Sequence, residues 1–371
     1  MFERSPVPTD RPNIGSELSM ARHYRENLNQ ALEEGLLEFL DTAIPVEIDA
    51  QEWLVHPNVN LYVDCTTRCL NRCGFCIART TDGRLGRQDV SVRAVVAAID
   101  FCAKYKIKHS IQLTGGEPAL HPAIGELSCV VTSRGLKTVL NTTLPVAHCM
   151  FPLFGYINVS AHHYNNERDA EVFQAPRDHK ELGRAIWMVG PHKVRLNCNL
   201  VAGYVDTYGE IMQYIAWAYH AMGVANISFS WMNVLPRGSM YAASICDYVQ
   251  DRPVPPMGSL LRSLEKTSHW RFLKYRGGVA CYYELWHYLA YERPVLVQFK
   301  YSNNNYMDMI DQSPGYIPDM VVHPDGSLTA SWDTRLKVLL PGARKAGQRV
   351  DAGTCGVEVD AGFKENAAGV V

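Results

Sequence analysis

Between Asn60 and Leu235 the chain repeats one pattern, a short β-rich run followed by an amphipathic stretch with apolar residues at helical spacing. The β-rich runs are NLYVD, SIQLT, LKTVLNTT, YINVSAHH, KVRLNCNLVAG and ANISFSWMNVL, separated by stretches such as SVRAVVAAIDFCAKYKI and DTYGEIMQYIAWAYHAMG. Neighbouring parallel strands need a crossover, usually a helix, so this alternation implies βα units around a parallel sheet. Six runs fall short of the eight strands that close a full barrel. The expected core is therefore a partial (β/α)6 barrel, an α/β fold.

The flanks read differently. Residues 1–55 are polar and helix-leaning, with helical periodicity in ARHYRENLNQALEEGLLEFLDTA, and are expected to form an N-terminal helical extension packed on the barrel of residues 56–236. Beyond Pro236 come a helical run (GSLLRSLEKTSHW), two aromatic runs (VACYYELWHYLAY and VLVQFKYSN) and MVVHPDGSLTASW, a hairpin turning at Asp325-Gly326. Residues 237–340 are expected to be a smaller α+β region that closes one end of the sheet, followed by a Gly- and Ala-rich tail over 341–371.

Composition narrows the function classes. A net charge of -2 carries no electrostatic footprint for nucleic acid. The opening MFERSPVPTD has no apolar segment of a secretory signal, and no uncharged apolar run is long enough to span a bilayer. Eleven cysteines, scattered apart from one group, do not read as a disulfide framework. The expectation is a cytoplasmic protein with neither nucleic acid nor membrane among its partners.

The one group of cysteines follows the first strand, in CTTRCLNRCGFC, and comprises Cys65, Cys69, Cys73 and Cys76. By counting alone, four thiolates could hold a structural zinc, although zinc sites usually use two separated pairs. The last three wrap a short loop around one object, and a cubane iron–sulfur cluster with three protein ligands would keep one iron open for chemistry. A shifted register of Cys65, Cys69 and Cys73 can also be written, but it lacks the final two-residue spacing. Cys65 itself ends a strand, where a buried free thiol is common. After the second strand, SIQLTGGEPALHP places Gly115 and Gly116 where backbone can approach a ligand closely, and Glu117 presents a carboxylate suited to an ammonium group.

Cys69-x3-Cys73-x2-Cys76, with Phe75 just before the last cysteine and directly after a first strand, resembles the signature of the radical S-adenosylmethionine (SAM) superfamily. The pattern is nearest to the molybdenum-cofactor cyclase-like and peptide-maturing members. The resemblance implies a [4Fe-4S] cluster on Cys69, Cys73 and Cys76, whose remaining iron takes the amino and carboxylate groups of SAM. It further implies one-electron cleavage of SAM to methionine and a 5'-deoxyadenosyl radical, which takes a hydrogen from a small polar or peptide-derived substrate. The electron implies a reducing partner such as flavodoxin or ferredoxin. Gly115, Gly116 and Glu117 correspond to the family's GGE motif, which holds the SAM amino group.

Further positions follow from the resemblance, each beside a plainer reading. Ser160 stands where relatives often contact the SAM ribose, or is a strand serine without a ligand. Arg195, Asn197 and Asn199 share one strand face, with Arg195 suited to the SAM carboxylate or to a structural ion pair. His162 and His163 point to opposite faces, so they cannot jointly bind a metal, and one of them would line a substrate cavity. Trp231 and Asn233 are adenine or substrate contacts, or core. Tyr282, Tyr283, Trp286, Tyr301 and the amides Asn303, Asn304 and Asn305 would suit a polar ligand, with Tyr283 the chosen substrate contact. Cys246, Cys281 and Cys355 have no paired spacing, so a second cluster is not expected and Cys281 reads as a packed thiol. The resemblance covers Val55 to Pro236. The rival from another class is a non-catalytic iron–sulfur or zinc protein in which Cys65 completes a four-cysteine site.

Overall fold

The computed structural model describes residues 17–76, 88–143, 154–232, 243–303, 306–307, 309–310, 313–333 and 336–342. The N-terminal arm forms α1 (Glu17–Glu26) and α2 (Leu28–Thr42), interrupted at Asn27, whose φ of -125° leaves the helical region. The expected helical extension to residue 55 is helical only as far as Thr42. A hairpin follows, β1 (Ile44–Ile48) and β2 (Gln51–Val55), turned by Asp49 and Ala50 at φ 47° and 64°. Neither turn residue is a glycine, which is why no turn signal stands in EIDAQEW.

The barrel begins with β3 (Val59–Asp64) and continues through α3 (Val92–Lys104), β4 (His109–Thr114), α4 (Ile124–Ser133), β5 (Thr138–Thr142) and β6 (Tyr156–Ser160). It then runs through α5 (Asn166–Phe173), α6 (His179–Val189), β7 (Val194–Leu200), α7 (Tyr208–His220) and β8 (Asn226–Trp231). The six strands pair in parallel in chain order, β3 to β8, as a partial barrel. Local chemistry starts several of its helices: Ser91, Asn165, Asp178 and Thr207 each accept a first-turn backbone N–H at the N-cap of α3, α5, α6 and α7.

After α8 (Ala243–Gln250) and α9 (Met257–Glu265), three antiparallel strands extend the same sheet: β9 (Trp270–Gly278), β10 (Cys281–Tyr288) and β11 (Val295–Ser302). β11 lies parallel against β8, so this ribbon prolongs the barrel wall. At the other edge β13 (Met320–Val322) pairs in parallel with β3 and carries β14 (Leu328–Thr329) and β15 (Val338–Leu340), while β12 (Tyr316–Ile317) joins β2. The hairpin read at Asp325-Gly326 is the β13–β14 connection, with Gly326 at φ 85°. The segment expected to cap one end of the sheet thus adds strands at both of its edges.

Strand alternation creates the interior. On β7, Val194, Leu196, Cys198 and Leu200 are fully buried under the helices, while Arg195, Asn197 and Asn199 face inward. The apolar outer layer supplies the core, and the inner layer is polar. No described helix is long and apolar enough to cross a membrane.

Candidate active site

The polar inner faces enclose a cavity of 1310 Å³, lined from every barrel strand. Its floor is an amide and hydroxyl lattice. Asn60 Oδ1 accepts from Ser110 Oγ (3.2 Å) and Gln112 Nε2 (2.9 Å), and Asn158 Nδ2 donates to Asn141 Oδ1 (2.7 Å).

The cysteine loop lies at the cavity mouth, and Cys69, Cys73, Phe75 and Cys76 all line it. Several bonds fix the loop. Thr66 Oγ1 donates to Asp89 (2.6 Å), Arg68 pairs with the same carboxylate (2.5 Å), and Arg72 N donates to the Phe173 carbonyl (2.8 Å). A Cβ on Gly74 would come within 2.2 Å of the Tyr248 ring, so only glycine fits between Cys73 and Phe75. Burial pushes the Cys69 and Cys73 thiols up, and the thiol neighbours Cys76 and, for Cys73, Cys69 add to it. Among the described residues no three metal-binding side chains close on a single ion. Three mutually interacting thiols opening on one cavity fit a cluster of several irons better than one tetrahedral zinc.

Cys65 stands apart. Its thiol is fully buried in the apolar core, donates to the Val63 carbonyl (3.5 Å) and does not line the cavity. Its burial in the core sets it apart from Cys69, Cys73 and Cys76, whose side chains line the cavity.

The glycine turn packs tightly against the cysteine loop. Gly115, at φ 122°, has Asp64 Oδ1 only 2.5 Å from the position of a Cβ, and a Cβ on Gly116 would meet the Arg68 carbonyl at 2.3 Å. Gly116 N donates to the Thr66 carbonyl and Glu117 N to the Arg68 carbonyl, both at 2.7 Å. The close approach is to the cysteine loop itself, although Gly115 and Gly116 also line the cavity.

Glu117 is 1% exposed and does not line the cavity. Oε1 accepts from Ala119 N (3.1 Å) and Thr142 Oγ1, and Oε2 from Thr143 N (2.8 Å) and Thr143 Oγ1 (2.7 Å). A carboxylate has about four acceptor positions, and all are used. Asn71 Nδ2 in turn reaches Thr143 Oγ1 (3.3 Å), so Glu117 ties the glycine turn, the end of β5 and the cysteine loop together.

Ser160, Arg195, Asn199, Trp231 and Tyr283 line the cavity as the sequence suggested. Arg195 has a buried Nε without a partner and its guanidinium lies 5.6 Å from the Tyr156 ring centre, so it is in no structural ion pair among the described residues. Trp231 Nε1 donates to the Pro255 carbonyl (2.9 Å). His162 lines the cavity and His163 does not. Burial lowers His162 to about 4, so its ring is neutral, and because Nδ1 accepts from Asn199 N (3.1 Å) the proton sits on Nε2. Phe75 packs edge-on against it, ring centres 5.2 Å apart. Asn233, Asn304 and Asn305 lie outside the described residues.

Alternation on β10 sorts the late aromatics. Cys281, Tyr283 and Leu285 face the cavity, whereas Tyr282 and Trp286 are buried on the other face, where both donate to Glu284 (2.8 and 3.0 Å). Tyr301 and Asn303 do not line the cavity either. Cys281 is packed within reach of Ser302 Oγ (3.3 Å).

Sequence reading missed Tyr62, Gln112, Asn141, Asn158, Lys300 and Trp332, all of which line the cavity. The available signal was the alternation of polar residues inside strands whose other residues are apolar, as in Asn60-Leu61-Tyr62-Val63-Asp64.

Residues 63–179 match the family model of the Radical SAM superfamily. No curated protein matches the chain. Solved structures similar to it include SuiB of Streptococcus suis bound to the precursor peptide SuiA, at 14% identity and TM-score 0.40 over 62% of this chain and 48% of that one. SuiB bound to S-adenosylmethionine matches at 12% identity and TM-score 0.45, over 86% of this chain and 67% of that one. Coproporphyrinogen III oxidase (HemN) from Escherichia coli matches at 10% identity and TM-score 0.40, over 62% of this chain and 66% of that one. The chain thus spans less than half the length of the first of these. The stretch matched by the family model contains the cysteine loop and the glycine turn, so it is this part of the chain that the radical SAM superfamily model describes.

Proposed function

We propose that a single [4Fe-4S] cluster, held by Cys69, Cys73 and Cys76, works with SAM on a small polar or peptide-derived substrate bound inside the barrel. The observation that carries this reading is the convergence of all three signature thiols on one large polar cavity, with the fourth thiol, Cys65, buried elsewhere. When bound, the cluster would supply the electron that cleaves SAM to methionine and a 5'-deoxyadenosyl radical able to take a hydrogen from substrate.

The chain's own residues bind and orient. Gly115 and Gly116 offer backbone beside the cysteine loop, and Arg195 offers an uncommitted guanidinium for a carboxylate. Ser160 and Asn199 offer hydroxyl and amide groups, Phe75 and Trp231 offer aromatic surface, and His162 offers a fixed Nε2–H donor. Tyr283 brings a substrate contact from the added ribbon. Ligand sites usually enclose about 300–1,000 Å³, and the larger 1310 Å³ here supports a site for SAM and a substrate together. An electron carrier would have no use for such a cavity. A flavodoxin- or ferredoxin-like reductant and a cytoplasmic setting complete the reading.

The test is anaerobic reconstitution of the full chain, followed by iron analysis and incubation with SAM and dithionite. The expected result is about four irons per chain and formation of 5'-deoxyadenosine, both abolished by Cys69→Ala, Cys73→Ala or Cys76→Ala and retained by Cys65→Ala. A triplet variant that keeps the cluster and cleaves SAM would overturn the assignment of ligands. No 5'-deoxyadenosine above a protein-free blank would overturn the reaction.

A further inference from the structure

Across the sheet from the cysteine loop, the cavity wall is built by strands outside the family-matched stretch, and its chemistry is one-sided. The pairing register aligns Asn199 on β7 with Ser230 on β8, Ser230 with Lys300 on β11, Lys300 with Tyr283 on β10, and Tyr283 with Arg276 on β9. All five line the cavity. The row offers an amide, a hydroxyl, an ammonium, a phenol and a guanidinium, and no carboxylate. The two carboxylates that line the cavity, Asp64 and Asp319, belong to the opposite edge, at the end of β3 and just before β13.

Lys300 makes the row a site rather than a solvated face. It is half-buried within the barrel, and among the described residues it forms no ion pair. Its Nζ lies 5.8 Å from the centre of the Tyr283 ring, and Asp319, across the cavity, favours its charge without forming an ion pair with it. An ammonium drawn into a protein interior without a paired counter-charge is costly. Burial raises Tyr283 to about 12, so at neutral pH its hydroxyl is an uncharged donor beside that ammonium. Arg276, on the far side of Tyr283, is exposed and also has no ion pair among the described residues. The chain as a whole carries a net charge of -2, so the concentration of positive charge here is local.

We propose that the β9–β11 ribbon forms a subsite for an anionic group of the substrate, a carboxylate or phosphate held between Lys300 and Arg276 with a hydrogen bond from Tyr283. This rests on reading the cavity as the radical SAM active site, and it assigns the substrate a chemical class: an organic anion. The subsite lies on the added strands, so it leaves Arg195 on β7 available to SAM.

The experiment is calorimetric titration of the reconstituted full chain with inorganic phosphate and, separately, succinate, with glycerol as the neutral control. At least one anion is expected to bind with a millimolar or tighter dissociation constant while glycerol does not. A tighter fit for phosphate marks a phosphorylated substrate, and a tighter fit for succinate a carboxylate. Lys300→Met and Arg276→Met should each weaken the preferred anion about tenfold or more, and Lys300→Arg should restore most of the loss, which a misfolded variant could not do. Anion binding that is absent, or that Lys300→Met leaves unchanged, overturns the subsite. Formation of 5'-deoxyadenosine by the unaltered protein is measured in parallel, so failure of the radical SAM reading is seen separately from failure of the subsite.

Discussion

Asp169 and Glu284 are both fully buried carboxylates, one on helix α5 of the barrel and one on strand β10 of the added ribbon, and they are satisfied by partners at very different distances along the chain. Asp169 takes its donors from its own βα unit: His162 N (2.7 Å), His163 N (3.1 Å), Arg177 Nε (3.1 Å) and His179 Nε2 (3.1 Å), all within ten residues. Glu284, in the added ribbon, takes Tyr282 and Trp286 from its own strand but its counter-charge from Arg25 of α1, 259 residues away (2.5 Å). Arg25 also reaches Glu265 of α9 (2.6 Å). Burial opposes the Arg25 charge, yet Glu284 and Glu265 outweigh it and hold its pKa above the ordinary value. The Asp169 hub can therefore form as its unit folds, whereas the Glu284 hub is complete only when the N-terminal arm docks. The arm and the ribbon are one structural unit assembled from the two ends of the chain.

The largest expected effect breaks the long-range hub. Arg25→Met would leave the Glu284 carboxylate buried without a counter-charge, a change that costs about 3–5 kcal/mol. Urea unfolding followed by tryptophan fluorescence would read it, since Trp286 sits in the hub. Arg25→Met with Glu284→Leu should recover part of the loss, because an apolar pair of similar volume removes the stranded charge. A single-variant loss below about 1 kcal/mol, the usual worth of an exposed pair, would show that the arm is not pinned this way.

Asp169→Asn sharpens the comparison at the local hub. The amide keeps an acceptor for the His162 and His163 N–H groups but turns a donor toward Arg177 and His179, for an expected loss of about 1–3 kcal/mol. Burial works against the Asp169 charge, but His179, Arg177 and the His162 backbone overcome it and hold its pKa below the ordinary carboxylate value. A carboxylate with a lowered folded-state pKa contributes stability that is complete above its unfolded pKa of about 3.9 and is lost as pH falls through the folded value. The stability gap between the unaltered protein and Asp169→Asn should then be constant from neutrality to about pH 5 and shrink below about pH 4. A gap that stays unchanged down to pH 3 would mean that the charge of Asp169 does not hold the hub.

The same contrast explains what the sequence disclosed. The six barrel strands were legible because each carries its own periodicity, and the Cys69, Cys73 and Cys76 loop because its ligands lie close together in the chain. Arg25 with Glu284 was not legible, since nothing near either residue announces the other. Nor was the position of the ribbon. VACYYELWHYLAY and VLVQFKYSN read as aromatic runs, but only the β8–β11 pairing shows that Lys300 and Tyr283 enter the cavity while Tyr282 and Trp286 turn away from it. Alternation gave the two faces of β10 and could not say which one met the barrel.

Glu117 carries the smallest expected effect and separates position in a motif from position in space. From the sequence alone its carboxylate should grip the SAM ammonium, and removing it should weaken SAM binding about tenfold to a hundredfold. The structure instead uses both oxygens to bind Ala119, Thr142 and Thr143, and Thr143 reaches Asn71 in the cysteine loop. Glu117→Gln keeps the size and one acceptor oxygen but sets an NH2 against donors it cannot accept from, for a cost of about 1–2 kcal/mol concentrated at the anchorage of the loop. The expected outcome is faster loss of iron during gel filtration under air-free conditions, with SAM affinity of the remaining loaded protein changed less than about threefold, a difference worth well under 1 kcal/mol. If iron is retained and SAM affinity falls at least tenfold, the carboxylate must leave its threonine partners when SAM binds, and Glu117 belongs to the ligand rather than to the loop.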